Sequence, residues 1–196
     1  RAERRSGGRR LECRIDHEWP STVPTPRPTQ DRRAALRVTA AALLSSALPA
    51  HSLIGPADAV VLTVRGRVRL VNNGNAADFD MAMLQQMRQA SCETRTPWFS
   101  QPRRFTGPLL RDVLSAAGAQ GSALRMAALN DYRVDIPWED PQRHDVIVAR
   151  LLDDKPMAVR DKGPLLVIYP FDSHPELQTA TYYGRAIWQL RTIEVL

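Results

Sequence analysis

The sequence predicts an α+β domain built mainly of strands. Short aliphatic runs bounded by Gly, Pro, Asn and Asp recur along the chain, whereas only two segments space their apolar residues as a helix does. Helical segments do not alternate with strands as they do in a doubly wound parallel sheet, and no internal repeat occurs. Residues 51–196 have the length of one ordinary domain with its own core.

The first predicted elements are a strand, a turn and a helix. Residues 59–64 predict a strand, and residues 65–71 are expected to continue it because apolar and basic side chains alternate there. The Asn-Asn-Gly-Asn sequence at residues 72–75 predicts a turn. Asp80 is expected to cap a helix that runs toward Gln89, because methionines and a leucine recur there at helical spacing. These methionines indicate core packing rather than a metal site.

The second helix is the best-marked element. Residues 92–96 predict a strand before it, which Pro97 ends. The helix is expected to begin near Pro108, where a missing N–H costs nothing, and to stop at Gly118. Its buried face is expected to consist of Leu109, Leu110, Val113 and Leu114. The remaining strands are predicted over residues 124–129, 133–136, 146–152, 165–169 and 186–195.

Charge divides the chain into two parts. Residues 1–37 hold ten Arg and five acidic residues, a net charge of 10 − 5 = +5. Residues 38–196 hold 17 basic and 16 acidic residues, a net charge of 17 − 16 = +1. A nucleic-acid-binding face needs an excess of cations to neutralise phosphates, and the nearly balanced domain offers none. We therefore expect no nucleic-acid partner.

The N-terminal part predicts export. Residues 31–50 combine a basic segment, an uncharged and mainly apolar run, and small residues at the end, as a signal peptide does. We expect cleavage after Ala50 by export machinery and a periplasmic or secreted domain; an uncleaved anchor is the alternative. Residues 1–30 are rich in Arg and Pro and predict a disordered leader, or a segment lying partly upstream of a translation start near Val23.

Cysteine and histidine content limits the chemistry of the mature domain. Cleavage after Ala50 removes Cys13 and leaves Cys92, so no intramolecular disulfide is expected. No metal site is predicted from sequence spacing, although a free N-terminal His51 could bind copper through its amine and imidazole. No nucleophile elbow or zinc-binding His-Glu motif supports a hydrolase.

Four motifs in order carry a family resemblance. They are residues 105–118 (FTGPLLRDVLSAAG), 130–137 (NDYRVDIP), 162–170 (KGPLLVIYP) and 187–190 (IWQL). The chain resembles the sulfite-oxidase-like molybdopterin-binding domain family, and in particular small exported proteins with that domain. The resemblance implies a reduced, single-domain form of this fold, a molybdopterin cofactor and a redox role in the periplasm.

The resemblance also implies a cysteine thiolate that binds molybdenum directly, just after a strand. The position that aligns with it is Thr96, whose hydroxyl does not ionise near neutral pH. Cys92 lies four residues earlier, about 13 Å along a strand at roughly 3.3 Å per residue. Cys92 is therefore expected to be a small buried hydrophobe, with the metal ligand as the alternative. Whether the protein is an enzyme stays open.

Around the inherited pocket, the resemblance places Thr96, Asn130, Asp131, Tyr132, Arg160 and Lys162. Asn130, Asp131 and Tyr132 are expected either to line a ligand site or to form a turn in which the side chains bond their own backbone. Arg160 and Lys162 precede Gly163-Pro164. They are expected either to hold a small anion or pterin phosphate, or to lie on a solvated turn.

Two functions remain open at this stage. The first is an oxidoreductase-like protein that uses molybdopterin. The second is a non-catalytic module that binds a ligand or a periplasmic protein partner and has lost the metal-ligating cysteine. Trp98 and Trp188 could form the floor of a planar ligand's site in either case, or pack in the core.

Overall fold

The computed structural model describes residues 53–196. The predicted leader at residues 1–30, the predicted signal peptide at residues 31–50, Cys13 and His51 lie outside this range. Within it, no helix is long and apolar enough to cross a membrane.

The elements confirm the α+β class with a majority of strands. The strands are β1 Val60–Gly66, β2 Ala76–Asp80, β3 Gln89–Thr96, β4 Phe99–Pro108, β5 Ala123–Ala128, β6 Arg133–Pro137, β7 Ile147–Ala149, β8 Leu151–Leu152, β9 Lys155–Pro156, β10 Leu166–Ile168 and β11 Leu190–Val195. The helices are α1 Met81–Gln86, α2 Leu110–Ala116, α3 Asp140–Arg143 and α4 Ala180–Arg185. Short 3₁₀ turns cover Val159–Asp161 and Pro175–Leu177.

The strands form three sheets. The largest has the order β2-β1-β11-β5-β6, in which β1 and β11 are parallel and the other neighbours are antiparallel. The second has the order β3-β4-β8-β9, and β7 pairs with β10 in the third. Pairing of β1 with β11 brings together the first and last strands of the described chain, with Thr63 opposite Thr192.

The core lies where the sheets meet the helices. The three residues of β7 and the three of β10 are all buried, as expected for short continuous apolar runs. The predicted face of α2 is buried, with Leu110 and Val113 at 0% exposure. Asp80 caps α1 as predicted, because its Oδ1 accepts a hydrogen bond from the Met83 N–H at 2.8 Å. Gly118, at φ +59°, follows the end of α2.

The predicted end of the first strand and the predicted start of the second helix were both wrong. β1 ends at Gly66, and residues 67–71 form a loop rather than a continued strand. The positive φ of Gly66, +89°, turns the chain there, and a Cβ at this position would collide with the Val195 carbonyl. Pro108 is the last residue of β4 and not the first of a helix; α2 begins at Leu110.

Two further strands were predicted too long. Residues 146–152 contain two strands, β7 and β8, which belong to different sheets. Between them, the Arg150 N–H donates to the carbonyl of Thr106 in β4. The chain therefore leaves β7 and joins the sheet that contains β4 and β8. Residues 186–189 form a loop that ends at Gln189 with φ +54°, and the last strand begins only at Leu190.

The glycine at position 107 supplies a test of how closely β4 and β7 pack. A Cβ at Gly107 would collide with the backbone carbonyl of Val148 in β7, which cannot move aside as a flexible side chain could. We expect Gly107→Ala to lower the free energy of unfolding by about 1–3 kcal/mol. Gly55→Ala is the control, because nothing lies within 4 Å of its Cβ position. Urea denaturation of both variants measures the difference, and equal stabilities would contradict this packing.

Candidate functional site

A pocket of about 250 Å³ lies among aromatic side chains from three parts of the chain. Its aromatic walls are Trp98, Tyr183 and Trp188, and its rim includes Asn130 and Tyr132. Gly184, Ala186 and Ile187 complete the lining. An apolar cavity with a few polar groups is the usual form of a small-molecule site.

Loops and one short helix position the aromatic walls. Trp98 lies in the turn between β3 and β4, Tyr183 lies on α4, and Trp188 lies in the loop that follows α4. The Trp98 and Trp188 ring centroids are 5.3 Å apart, and Trp98 meets Tyr183 edge to face at 6.3 Å. Such offset and edge contacts between aromatic rings are favourable, so the three rings support one another.

Two polar atoms near the C-terminal end of β3 are buried without a hydrogen-bond partner in the described part of the chain. The indole Nε1 of Trp98 has no acceptor among residues 53–196, and Thr96 Oγ1 has no partner within the same range. A buried donor without an acceptor costs about 1–3 kcal/mol, so native proteins usually satisfy it. Trp98, a residue that lines the pocket, therefore carries an unpaired hydrogen-bond donor.

Lys162 places a positive charge against one wall. Its Nζ lies 4.3 Å from the centroid of the Trp188 ring and 5.4 Å from that of Phe99. The Gln189 N–H donates to the Lys162 carbonyl at 3.0 Å, which fixes the Lys162 backbone beside the Trp188 loop. A cation over an aromatic face is attracted to it electrostatically.

Asn130 and Tyr132 form a turn at the edge of the aromatic pocket. The Asn130 Oδ1 accepts a hydrogen bond from the Tyr132 N–H at 3.2 Å, as in a turn stabilised by an Asn side chain. The Tyr132 hydroxyl donates to the Gly184 carbonyl at 3.1 Å, which joins this turn to α4. Both residues line the pocket as well.

The structure does not bring all the expected pocket residues together. Asp131, at φ +63°, lines a different groove together with Arg133 and Arg191. Arg160 is exposed, and its Nε lies 3.5 Å from the Asp161 carboxylate. Of the six expected residues, Asn130 and Tyr132 line the aromatic pocket, whereas Thr96, Asp131, Arg160 and Lys162 do not.

Cys92 has the environment of an inert thiol. Its side chain is partly buried and packs against the core. Burial, with a smaller contribution from the negative charge of Asp172, raises the pKa of Cys92 to about 12. Because only the thiolate is a good metal ligand, this environment favours the buried-hydrophobe alternative for Cys92.

Tyr183 is the wall residue that sequence reasoning missed. The helix that carries it, α4, has six residues, too few to show a helical repeat of apolar positions. The adjacent tyrosines Tyr182 and Tyr183, just ahead of the Ile187-Trp188 segment, are the one signal that could have indicated it.

Thiol labelling tests the description of Cys92. In the full chain carrying Cys13→Ser, we expect a disulfide reagent at pH 8 to react with native Cys92 roughly 1,000-fold more slowly than with the urea-unfolded chain, because the thiolate fraction falls with the raised pKa. Equal labelling rates in the native and unfolded protein would contradict a buried, protonated thiol.

Comparison with known proteins supports the fold but no family. No family model matches the chain, and no curated protein sequence matches it. The crystal structure of the sulfane dehydrogenase SoxCD from Paracoccus pantotrophus is similar over 68% of this chain, with a TM-score of 0.51 and 15% sequence identity. The chain spans 37% of the length of the chain that it matches. This similarity supports a sulfite-oxidase-like fold for the described residues.

Proposed function

We propose that this protein is an exported domain that binds a small, planar, anionic ligand in its aromatic pocket without a metal-thiolate centre. The pocket is large enough for a bicyclic ring, and Trp98, Tyr183 and Trp188 supply the aromatic surface that would contact it. The domain would act in the periplasm or outside the cell, as the predicted signal peptide at residues 31–50 implies.

The observation that carries the proposal is the unsatisfied indole N–H of Trp98. This nitrogen is buried in a residue that lines the pocket, and it has no acceptor within the described chain. A ligand with a ring nitrogen or carbonyl oxygen would satisfy it and recover the cost of leaving the donor unpaired. Heteroaromatic compounds such as pterins carry such acceptors on a planar ring.

The positive charge of Lys162 explains the preference for an anion. Lys162 takes part in none of the side-chain ion pairs formed among residues 53–196. Its ammonium group rests on Trp188, which is itself a wall of the pocket. A carboxylate or phosphate on the ligand would therefore find a cation with free hydrogen-bond donors.

The residues present do not fit the molybdenum centre that the resemblance implies. Thr96 offers a hydroxyl where the family has a thiolate, and the Cys92 thiol stays protonated at neutral pH because of its burial. A soft thiolate ligand is therefore missing from both positions.

A redox role is the second candidate. Its support is the fold similarity to a protein described as a sulfane dehydrogenase. A pterin that carries a redox-active metal in the aromatic pocket would make this an oxidoreductase-like domain, and a periplasmic protein would then be its electron partner. Such a role requires molybdenum or another redox group bound by ligands other than a cysteine thiolate.

Binding of pterin-6-carboxylate, a planar heteroaromatic anion, tests the first proposal. We expect the full chain to bind it, and Trp98→Phe and Lys162→Met each to raise the Kd about tenfold, since each removes one polar interaction of roughly 1–1.5 kcal/mol. Trp138→Phe is the matched control because Trp138 does not line this pocket. Fluorescence titration measures the Kd values.

Metal and pterin analysis of protein purified from its own host separates the two candidates. The ligand-binding proposal predicts no stoichiometric molybdenum. Stoichiometric molybdenum that persists in Cys92→Ser and disappears in Thr96→Ala would contradict it and favour the redox candidate. Failure of pterin-6-carboxylate to bind would remove the planar-anion proposal.

A further inference from the structure

A second cluster of chemically active side chains lies outside the aromatic pocket and shares no residue with it. It consists of His144, His174 and Glu176, each of which offers one donor atom; these atoms all lie within 4.8 Å of one another. The two imidazole centroids are 5.3 Å apart. Nothing in the sequence spacing indicated this cluster, because 30 residues separate the two histidines.

Two chain turns bring the cluster together. His144 directly follows α3, and its N–H donates to the Asp140 carbonyl at 2.9 Å, which closes that helix. His174 directly precedes the 3₁₀ turn Pro175–Leu177, and this turn carries Glu176 back beside it. The His174 Nδ1 and a Glu176 carboxylate oxygen are 3.0 Å apart.

His144 is held in place and leaves a nitrogen unused. Its ring meets Tyr182 edge to face with a centroid distance of 6.3 Å. The His144 Nδ1 is buried and has no hydrogen-bond partner within residues 53–196. Because a buried polar atom without a partner is costly, a ligand bound at this nitrogen would recover that cost.

The donor set is typical of a transition-metal site. Imidazole nitrogens suit Zn²⁺, Cu²⁺ and Ni²⁺, whereas Mg²⁺ and Ca²⁺ prefer sites made of oxygen atoms alone. Two histidines and one glutamate form one of the known three-ligand zinc sets, in which water takes the fourth position.

The geometry can contract around such an ion. Zinc–ligand bonds of about 2.0–2.1 Å place tetrahedral donors on the order of 3.3 Å apart. The present separations of up to 4.8 Å need to shorten by about 1.5 Å at most. Glu176 is exposed and His174 only partly buried, so changes of side-chain rotamer can achieve this while His144 stays packed.

We propose that His144, His174 and Glu176 bind one divalent transition-metal ion of the zinc class, with an open position for water. The site is independent of the proposed pocket ligand, and its test does not depend on pterin binding.

Zinc titration of the full chain tests the proposal. We expect calorimetry to show one Zn²⁺ ion bound at these residues, and His144→Gln, His174→Gln and Glu176→Gln each to weaken its binding at least tenfold. His51→Gln and Glu139→Gln are the matched controls and should leave that affinity unchanged. In the Cu²⁺-loaded protein, electron paramagnetic resonance should show coupling to two nitrogen nuclei, reduced to one by His174→Gln.

The His174 and Glu176 variants keep the test decisive even if His144→Gln disturbs packing against Tyr182. Unchanged zinc affinity in His174→Gln and Glu176→Gln would overturn the proposal. Loss of the bound ion in His51→Gln, with these two variants unaffected, would overturn it equally, because the ion would then bind elsewhere.

Discussion

The buried carboxylate of Asp140 is the constraint on which both the aromatic pocket and the histidine cluster depend. Its Oδ2 accepts hydrogen bonds from Arg185 Nη1 and from the Tyr169 hydroxyl, each at 2.9 Å. Asp140 is only 6% exposed, so its charge must be compensated within the protein. Burial, together with the Asp140 charge, raises the pKa of Tyr169, which keeps its hydroxyl protonated as a donor. The ion pair joins α3 to α4, and the hydrogen bond from Tyr169 joins both helices to the chain just after β10.

This network explains how two very short helices acquire fixed positions. Helices of four and six residues have too few hydrogen bonds to form alone, so tertiary contacts must hold them. Asp140 begins α3, and His144 of the histidine cluster directly follows this helix. Arg185 ends α4, and the two preceding residues, Tyr183 and Gly184, line the aromatic pocket. The two sites are therefore chemically separate but structurally supported by the same Asp140–Arg185 ion pair.

Features that depend on residues close together in the sequence were predicted correctly. The α+β class, the Asp80 cap and the buried face of α2 followed from spacing and capping chemistry. Pro108 misled because a Pro that is compatible with a first helical turn is also tolerated at the end of a strand. The histidine cluster and the Asp140–Arg185 pair join residues 30 to 45 positions apart, which only the folded chain brings together. Trp98 and Trp188 were candidates from sequence, but the missing acceptor for the Trp98 indole could be recognised only in the structure.

The stability of an Asp140 variant tests this account most directly. Asp140→Ala leaves the partly buried Arg185 and the buried Tyr169 hydroxyl without their shared partner, so we predict a loss of about 3–5 kcal/mol in the free energy of unfolding measured in urea. Asp145→Ala is the comparison, since Asp145 forms an exposed ion pair with Arg111, and we predict a loss of less than about 1 kcal/mol. Equal, small losses in the two variants would contradict the claim that the Asp140 network supports both sites.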